Sequence, residues 1–140
     1  MAATPNSIVT PKSPKSFTAV AITAETAFNA PTNQVTLIDE SVSGNNDNGL
    51  RLTTVYAIAR AAIASLCNCQ LYKKVGSTYT LIDSVVMATG TPSATVVNQK
   101  ADFGYSEDNP LILAPGVGLA VAIGQSIANG VAFRASGGAY

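Results

Sequence analysis

The sequence has no histidine and no tryptophan, and its eight basic and eight acidic side chains cancel to a net charge of zero. Histidine is the usual general base near neutral pH and the commonest zinc ligand, so a Ser-His-Asp triad and a histidine-based zinc site are excluded. Zero net charge removes the electrostatic attraction that drives binding to nucleic acids. We therefore expect no catalytic residues, no cofactor and no nucleic-acid partner.

The chain also lacks a long apolar run. Its amino terminus is polar and shows no signal-peptide core, and its longest apolar-rich stretch, residues 55–67, is interrupted by Arg60. A helix that spans a membrane needs about 20 predominantly apolar residues. We expect no membrane partner and no cleaved secretion signal.

Prolines are concentrated at the start of the chain. Pro5, Pro11 and Pro14 lie in residues 1–16 of a 140-residue sequence, a length that suits one domain. Proline fixes φ and lacks a backbone donor, so this segment is excluded from a central sheet and from a helix interior. We predict an extended N-terminal arm over residues 1–16 and a single domain over residues 17–140. A disordered tail without a role is the alternative for residues 1–16.

Turn dipeptides in the rest of the chain predict a fold built from strands. Asn48-Gly49 and Asn129-Gly130 are typical of type I′ hairpin turns, and Gly76-Ser77 is typical of a type II′ turn. Each dipeptide lies between runs that alternate or are rich in β-branched residues. Three hairpins in so short a chain predict an all-β fold, an antiparallel β-sandwich of jelly-roll-like form.

Residues 117–124 predict a strand that is packed on both of its faces. Side chains alternate between two faces of a strand, and here one face is large and the other small. The large face would point into the core, and the small face would lie under a close neighbour. The members of the two faces are Val117, Leu119, Val121 and Ile123 on one side and Gly118, Ala120, Ala122 and Gly124 on the other.

Two segments have less regular patterns. Residues 57–66 are rich in alanine, which favours a helix, but Tyr56 and Ile58 continue the alternation that begins at Leu50. We predict a strand there, with a helix as the alternative. Residues 91–102 show no clear period and are interpreted as a long connection that could contain a helical turn.

Cys67 and Cys69 are two residues apart, so on a strand both side chains point to the same face. A metal site needs about four ligands, which one chain lacks unless symmetry-related copies supply the rest. A disulfide between the two is awkward because their side chains stand parallel, whereas an intermolecular disulfide is an open alternative. We interpret both as small apolar core residues and expect no metal.

Two glycine-containing motifs are interpreted as turns. Gly116 and Gly118 begin like a dinucleotide-binding loop but lead into a strand, so we predict a simple turn at Pro115-Gly116. Residues 44–49 lack the first carboxylate and the closing glutamate of a calcium loop. They are interpreted as a turn, with weak surface calcium binding as the alternative.

The paired charges are interpreted as surface features. Asp39-Glu40 and Glu107-Asp108 are the adjacent acidic pairs, and nothing in the sequence brings them together as glycoside hydrolysis would require. Lys73-Lys74 precedes the Gly76 turn and is predicted to be a solvated hairpin tip that also keeps a sheet edge from pairing. We expect no enzymatic activity.

About residues 50–140 resemble a family of small structural proteins of tailed phages. The segments that carry the resemblance are RLTTVYAIARA (51–61), CQLYKK (69–74) with Gly76, LIDS (81–84), FGYSEDNPL (103–111), LAPG (113–116), LAVAIG (119–124), ANGVA (128–132) and the terminal ASGGAY (135–140). Members of this family are similar to capsid decoration (cement) proteins, which have a jelly-roll-like β-fold and are often trimeric. The family has no catalytic residues to transfer.

The resemblance implies a virion protein on the exterior of the capsid, assembled in the host cytoplasm. We expect it to bind the major capsid protein on the outer surface of a phage head and to stabilise contacts between capsid subunits, as a homo-oligomer with a trimer favoured. Residues expected to contact the capsid are those of the arm, namely Ile8, Val9, Pro11, Lys12, Pro14 and Lys15. The alternative is a virion fibre, tail or adhesion component whose loops 43–49 or 103–110 bind a host-surface ligand.

Overall fold

The computed structural model describes residues 11–140. These residues contain no helix, and hence none that is long and apolar enough to span a membrane. The all-β fold predicted from the turn dipeptides is therefore confirmed. In chain order the strands are β1 (Ser13–Ala21), β2 (Val35–Ile38), β3 (Leu50–Ala59), β4 (Cys67–Val75), β5 (Thr78–Met87), β6 (Lys100–Asp102), β7 (Leu111–Leu113), β8 (Gly118–Ile123) and β9 (Val131–Ala139).

The strands form two antiparallel sheets that pack face to face. The first sheet has the order β1-β9-β3-β6, with β7 also paired to β3, and the second has the order β2-β8-β4-β5. Strand β6 pairs with residues 56–58 of β3 and β7 pairs with residues 50–52, so the two short strands share one edge of β3. The predicted antiparallel β-sandwich is confirmed.

Alternation along the strands places the core between the two sheets. In β3, Leu50, Leu52, Val55 and Ala57 are fully buried, while the residues between them are partly exposed. The step from Leu52 to Val55 is one residue longer than the others because a β-bulge at Thr53 shifts the register against β9. Each large side chain buried in this way contributes about 1.5–3 kcal/mol to folding.

Strand β8 lies in the middle of the second sheet, and all six of its residues are buried. Ala120 and Ala122 on the small face are as fully buried as Leu119 and Val121 on the large face. A Cβ atom at Gly118 would collide with the backbone carbonyl oxygen of Ile38 in the neighbouring strand. The prediction of a strand packed on both faces is confirmed.

Ala120 and Ala122 on the small face of β8 form a second buried cluster with Tyr72, against which Tyr79 packs, and Glu25 ties the chain before β2 to this part of the second sheet. The backbone nitrogen of Glu25 donates to the carbonyl oxygen of Ile123 at 2.7 Å, and Gln70 Nε2 donates to the carbonyl oxygen of Glu25 at 2.9 Å.

Burial by itself would raise the pKa of the Glu25 carboxyl, but hydrogen bonds from backbone nitrogens hold that pKa below its ordinary value. The donors are Asn33, Ala27, Thr32 and Thr26.

Of the three predicted hairpins, only the one at Gly76-Ser77 is present. It joins β4 to β5, and a positive φ at Gly76 with none at Ser77 agrees with the predicted type II′ turn. The hairpin predictions at Asn48-Gly49 and Asn129-Gly130 are wrong because each dipeptide connects strands that lie in different sheets. The type I′ geometry is also wrong, since among the described residues only glycines have positive φ.

The alanine-rich segment is strand only in part. Strand β3 ends at Ala59, and residues 60–66 are irregular, so the strand predicted over residues 57–66 holds for its first three residues. Beyond Ala59 the backbone of Ile63 exchanges two hydrogen bonds with Gly90, at 2.8 and 3.1 Å. The buried Ile63 side chain closes this end of the core.

Residues 91–99 form the predicted long connection after β5 and contain no helical turn. The last three residues of the predicted segment, 100–102, form β6 instead. Asn98 Nδ2 donates to the carbonyl oxygen of Ala59 at 2.7 Å, and the nitrogen of Ala59 donates to the carbonyl oxygen of Gln99 at 2.8 Å. These two bonds attach the connection to the end of β3.

The first sheet begins earlier than the predicted domain boundary. Strand β1 starts at Ser13 rather than at residue 17, and residues 13–16 pair with Ser136–Ala139 of β9. Because β1 is at the edge of its sheet, the missing donor of Pro14 is tolerated there. The remainder of the predicted arm, residues 1–10, lies outside the described residues.

Candidate interaction surfaces

Four of the six predicted capsid-contact residues are described by the structure, and Ile8 and Val9 lie outside it. The backbone nitrogen of Lys12 donates to the carbonyl oxygen of Ala139 at 2.7 Å, which continues the pairing of β1 beyond its formal start. Pro11 lies directly against Gly138, where a Cβ atom would collide with the proline ring. The chain therefore enters the domain tightly packed on the last residues of β9.

The side chains of Pro14 and Lys15 differ in their surroundings. Pro14 is exposed and lies opposite Gly138, whereas Lys15 Nζ donates to the carbonyl oxygen of Gly44 at 2.8 Å. Lys12 is exposed. Of the four described residues, Lys12 and Pro14 are thus the ones with side chains open to solvent.

A shallow cleft of about 400 Å³ separates the start of β1 from β3 and the loop before β7. Arg51 Nη1 lies 3.0 Å from Glu107 Oε2, and Arg51 Nη2 donates to the carbonyl oxygen of Glu107 at 2.6 Å. The floor of the cleft includes Gly137, where a Cβ atom would collide with the backbone of Arg51 and Leu52. The glycines near the carboxyl terminus are therefore required by the close approach of β9 to its neighbours.

The loop of residues 103–110 is closed by its own hydrogen bonds. The backbones of Ser106 and Asn109 donate to each other at 3.1 and 3.2 Å, and Gly104 adopts a φ of 89°. The Arg51 ion pair fastens the loop to β3. Glu107 pairs with Arg51 while its side chain remains 80% exposed, and Asp108 is exposed at the tip, so both are surface charges as predicted.

The loop of residues 43–49 is organised around Asn46, which is buried. Its Nδ2 donates to the carbonyl oxygens of Ala114 and Val117 at 2.8 and 2.7 Å, and its Oδ1 accepts from the nitrogen of Gly49 at 2.9 Å. The carboxylate of Asp47 accepts from the nitrogen of Gly44. The predicted turn is confirmed, but sequence reasoning missed the role of Asn46 because the run Asn45-Asn46 gives no sign of which amide is buried.

These three segments meet at one end of the sandwich, which we call the Arg51 end: residues 11–15, 43–49 and 103–110 around Arg51. Lys15 bonds to Gly44, and the cleft beside Pro11 is also lined by Arg51 and Glu107. The four described residues of the capsid hypothesis and both loops of the ligand-binding alternative therefore share a single surface. No sequence pattern indicates this, since the partners are 29 and 56 positions apart.

The other acidic pair is also used within the fold. Glu40 accepts from Lys74 Nζ at 2.7 and 2.9 Å and from the nitrogen of Gly76 at 3.1 Å. Burial by itself would raise the pKa of Glu40, but the hydrogen bonds from Lys74 and from the backbone nitrogens of Glu40 and Gly76, together with the charge of Lys74, outweigh burial and lower that pKa. The solvated-tip prediction is wrong for Lys74, because β4 lies between β8 and β5 and this side chain is only 11% exposed; Lys73 is exposed.

Both cysteines are free thiols that are fully buried in the core. They face Met87 and Val85 across the β4–β5 ladder. The hydrogen bond with Cys67 and the burial of the site raise the pKa of Cys69. The interpretation of the pair as core residues is confirmed.

A second surface, which sequence reasoning missed, lies on the side of the sandwich opposite to β1 and β2, where β5 contacts β6. A groove of about 390 Å³ runs between β5 and β7, and its lining includes Ile82, Tyr105, Leu111 and Ile112. Burial and the nearby Asp83 carboxylate raise the pKa of Tyr105 to about 12, so its hydroxyl stays neutral. In β5 the adjacent residues Leu81 and Ile82 break the alternation of apolar and polar side chains. This break is the sequence signal that could have indicated a strand with exposed apolar side chains. The exposed large apolar side chains on this side are Leu81, Ile82, Val86, Val96, Val97 and Ile112.

Among residues 11–140, no group of three or more histidine, cysteine, aspartate or glutamate side chains is placed so that it could hold a metal ion. The Arg51 end carries charged and polar loops, whereas the groove beside β5 is lined by aliphatic residues together with Lys73 and Tyr105. No known protein family, curated protein or solved structure matches this chain.

Proposed function

We propose that this chain is a capsid decoration (cement) protein of a phage, which binds the outer surface of the head and stabilises contacts between major capsid subunits. The proposal rests on the resemblance of about residues 50–140 to small structural proteins of tailed phages. The observation that carries it in the structure is the anchoring of the amino-terminal chain. Pro11 packs on Gly138 and Lys12 bonds to Ala139, so this part of the chain is held at the Arg51 end.

The strand order supports the proposal at the level of architecture. In the first sheet the first and last strands are neighbours, β1 beside β9, and in the second sheet β2 lies beside β8. We infer a jelly-roll connectivity in which β6 and β7 together occupy one strand position. Jelly rolls are common in viral capsid proteins, although a fold does not by itself specify a function.

An anchored arm would strengthen a capsid by adding buried contact area. A standard protein interface buries about 1,600 Å², and the symmetry of a shell repeats each contact many times. Ordering a segment only when it binds costs free energy, but it allows a small domain to cover a large surface. Residues 1–10 would contact the neighbouring capsid subunits, and Lys12 and Pro14 would extend the contact onto the domain.

Deletion of residues 1–10 tests this mechanism. Because β1 begins at Ser13, the deletion leaves the strand whole, and we expect an unchanged thermal unfolding midpoint with loss of binding to heads. Binding would be measured by co-sedimentation with purified heads that lack the protein. Leu66→Ser, a change of an exposed residue at the far end from Arg51, is the matched control and should bind normally. Full occupancy of heads by the deletion variant would refute the arm mechanism.

The alternative function, a fibre, tail or adhesion component, is favoured by one observation: loops 43–49 and 103–110 both lie at the Arg51 end. They would then form one ligand-binding surface for a host molecule. A reconstruction of the virion distinguishes the two functions. Density for this protein on the head supports decoration, and density confined to the tail refutes it.

A further inference from the structure

The outer faces of the two sheets differ in how much of them is buried. On the second sheet, Tyr72, Ala120 and Ala122 are fully buried. On the first sheet, Arg134 in the middle of β9 is exposed, and so is Thr18 opposite it in β1. Among residues 11–140, the outer face of the first sheet is therefore open to solvent.

Two adjoining clefts cross this open face. One is the cleft of about 400 Å³ beside Lys12 and Arg51, and the other, of about 420 Å³, includes Ser16, Arg134 and Ser136 in its lining. Three residues line both clefts, namely Pro14, Thr53 and Gly137. Because they share these residues, the two clefts form one continuous depression, which we call the Arg134 groove.

The first sheet is the positively charged part of the molecule. Its strands carry four cationic side chains and one anionic side chain, a net charge of +3 in a chain whose total is zero, so the remaining residues carry −3. The cations are Lys15, Arg51, Lys100 and Arg134, and the anion is Asp102. Partners tend to be complementary in charge, so an acidic partner fits this face best.

Arg134 is the cation of this face that is best placed to bind an anion. Its Nε donates to Ser16 Oγ at 3.3 Å, and its two terminal nitrogens have no hydrogen-bond partner among residues 11–140. A guanidinium group presents paired donors that match the two oxygens of a carboxylate. Other cations are already engaged, since Arg51 is paired with Glu107 and Lys15 is bonded to Gly44.

The length of the groove fits an extended segment of chain. The backbone of Lys12 bonds to Ala139, five positions after Arg134 along β9, so Lys12 and Arg134 are about 17 Å apart. About five residues of extended chain cover that distance. The described lining of the two clefts includes no aromatic side chain on which a sugar ring or a nucleic-acid base would stack, which favours a peptide over either polymer.

We propose that the Arg134 groove binds an acidic segment of a protein in extended form, with one carboxylate on Arg134 and another on Lys12. The inference deepens the proposed function, because it states the chemistry of the capsid surface that this face would contact, and it rests on that function for the identity of the partner alone. Glu107 limits the affinity, since its carboxylate lines the groove and occupies Arg51.

Binding of poly-L-glutamate to the full chain tests the site without heads. Repulsion between like charges keeps this polymer extended. Binding is followed by the NMR shifts of backbone amides at pH 7 and low ionic strength, where charge attraction is little screened. The signals of Ser16, Arg134 and Ser136 should move. Arg134→Gln should weaken binding about fivefold, and Glu107→Gln should strengthen it about threefold.

Arg60→Gln is the matched control, because it removes the same charge from an exposed position outside the groove and should bind as the wild type does. The three substituted side chains are exposed, so the thermal unfolding midpoints should be unchanged. Equal losses of binding in Arg134→Gln and Arg60→Gln would show that net charge alone matters and would overturn the inference. Unchanged binding in Arg134→Gln, or no binding of poly-L-glutamate to the wild type, would overturn it as well.

Two further comparisons identify the partner. Alginate, a carboxylated polysaccharide, is the second polymer, and tighter binding of alginate than of poly-L-glutamate would refute the peptide assignment in favour of a glycan. Co-sedimentation with heads separates this inference from the proposed function. Equal binding of the wild type and Arg134→Gln to heads refutes the inference alone, whereas poly-L-glutamate binding through Arg134 without any binding to heads refutes the proposed function alone.

Discussion

The two sides of the sandwich where the edge strands of the two sheets lie carry different side chains. On the side of β1 and β2, the edge strand begins with Pro14 and Lys15 and is preceded by Pro11 and Lys12. Proline and lysine both discourage the addition of another strand. On the opposite side, β5 is a ten-residue edge strand that exposes aliphatic side chains at Leu81, Ile82 and Val86.

The difference indicates how each side is used. The side of β1 has the protected edge that a solvent-facing strand needs, and it is also where the amino-terminal chain enters the domain. The side of β5 has only a β-bulge near residue 82 and the acidic Asp83 to limit pairing. An edge that is apolar and weakly protected is a liability in a monomer, because another strand can add to it.

We expect the largest loss of stability from a substitution that disrupts the packing of β9, the strand next to β1. Gly137→Ala would place a methyl group against the backbone of Arg51 and Leu52, which cannot move aside as a flexible side chain would. We expect a loss of about 3 kcal/mol in the free energy of unfolding, measured by urea denaturation. Ser136→Ala, at the neighbouring partly exposed position, should stay within about 0.5 kcal/mol. A Gly137→Ala variant as stable as the wild type would contradict the close approach of β9 to β3.

An intermediate effect is expected at the ion pair that connects the two sides. Glu40 follows β2 on one side, and it binds Lys74 and the Gly76 turn that leads into β5 on the other. Glu40→Gln leaves the mostly buried ammonium group without its charge partner, so we expect a loss of about 2 kcal/mol. Asp108→Asn, at the exposed tip of its loop, is the matched control and should have no measurable effect.

The pH dependence of the same pair has a definite sign. The pKa of Glu40 is lowered in the folded chain from an ordinary value of 4.5, so its stabilising contribution is present above that value and is lost as the pH falls through the lowered pKa. Urea denaturation of the wild type and of Glu40→Gln between pH 7 and pH 3 should therefore give curves that converge toward acid. A difference that stays constant with pH would contradict the role of this carboxylate.

The smallest change in stability should accompany a substitution that makes the β5 side resemble the β1 side. Ile82→Lys adds a charge to the exposed edge, and the free energy of unfolding, measured by urea denaturation, should change by less than about 0.5 kcal/mol. Thr80→Lys, at another exposed position of the same strand, is the matched control and should change it as little. A loss well above about 0.5 kcal/mol for Ile82→Lys alone would show that this side chain is packed and not exposed.

Local sequence chemistry predicted the features that depend on neighbouring residues. The Gly76-Ser77 turn, the Pro115-Gly116 turn and the two faces of β8 were all predicted from residue types and their spacing. In the structure Gly116 has a φ of 78°, and the nitrogen of Val117 donates to the carbonyl oxygen of Ala114 across that turn. Such features follow from steric rules that act within a few residues, which is why they are visible in sequence.

The errors share one cause. Asn48-Gly49 and Asn129-Gly130 have the composition of hairpin turns, yet the chain passes from one sheet to the other at both sites. A glycine with positive φ serves either kind of connection, with Gly49 at 104° and Gly130 at 75°, so composition does not distinguish them. The burial of Lys74 was missed for a similar reason, because its partner Glu40 is 34 positions away.

The sequence by itself determined the fold class, the alternation of buried and exposed positions, the burial of Cys67 and Cys69, and the places where the chain turns. Only the tertiary structure decided which strands are neighbours, that three distant segments meet around Arg51, and that apolar side chains collect beside β5. The physical reason is that turns and faces are set by interactions within a few residues. Strand pairing, as between β1 and β9 at the two ends of the domain, is set by the joint burial of faces that are remote in sequence.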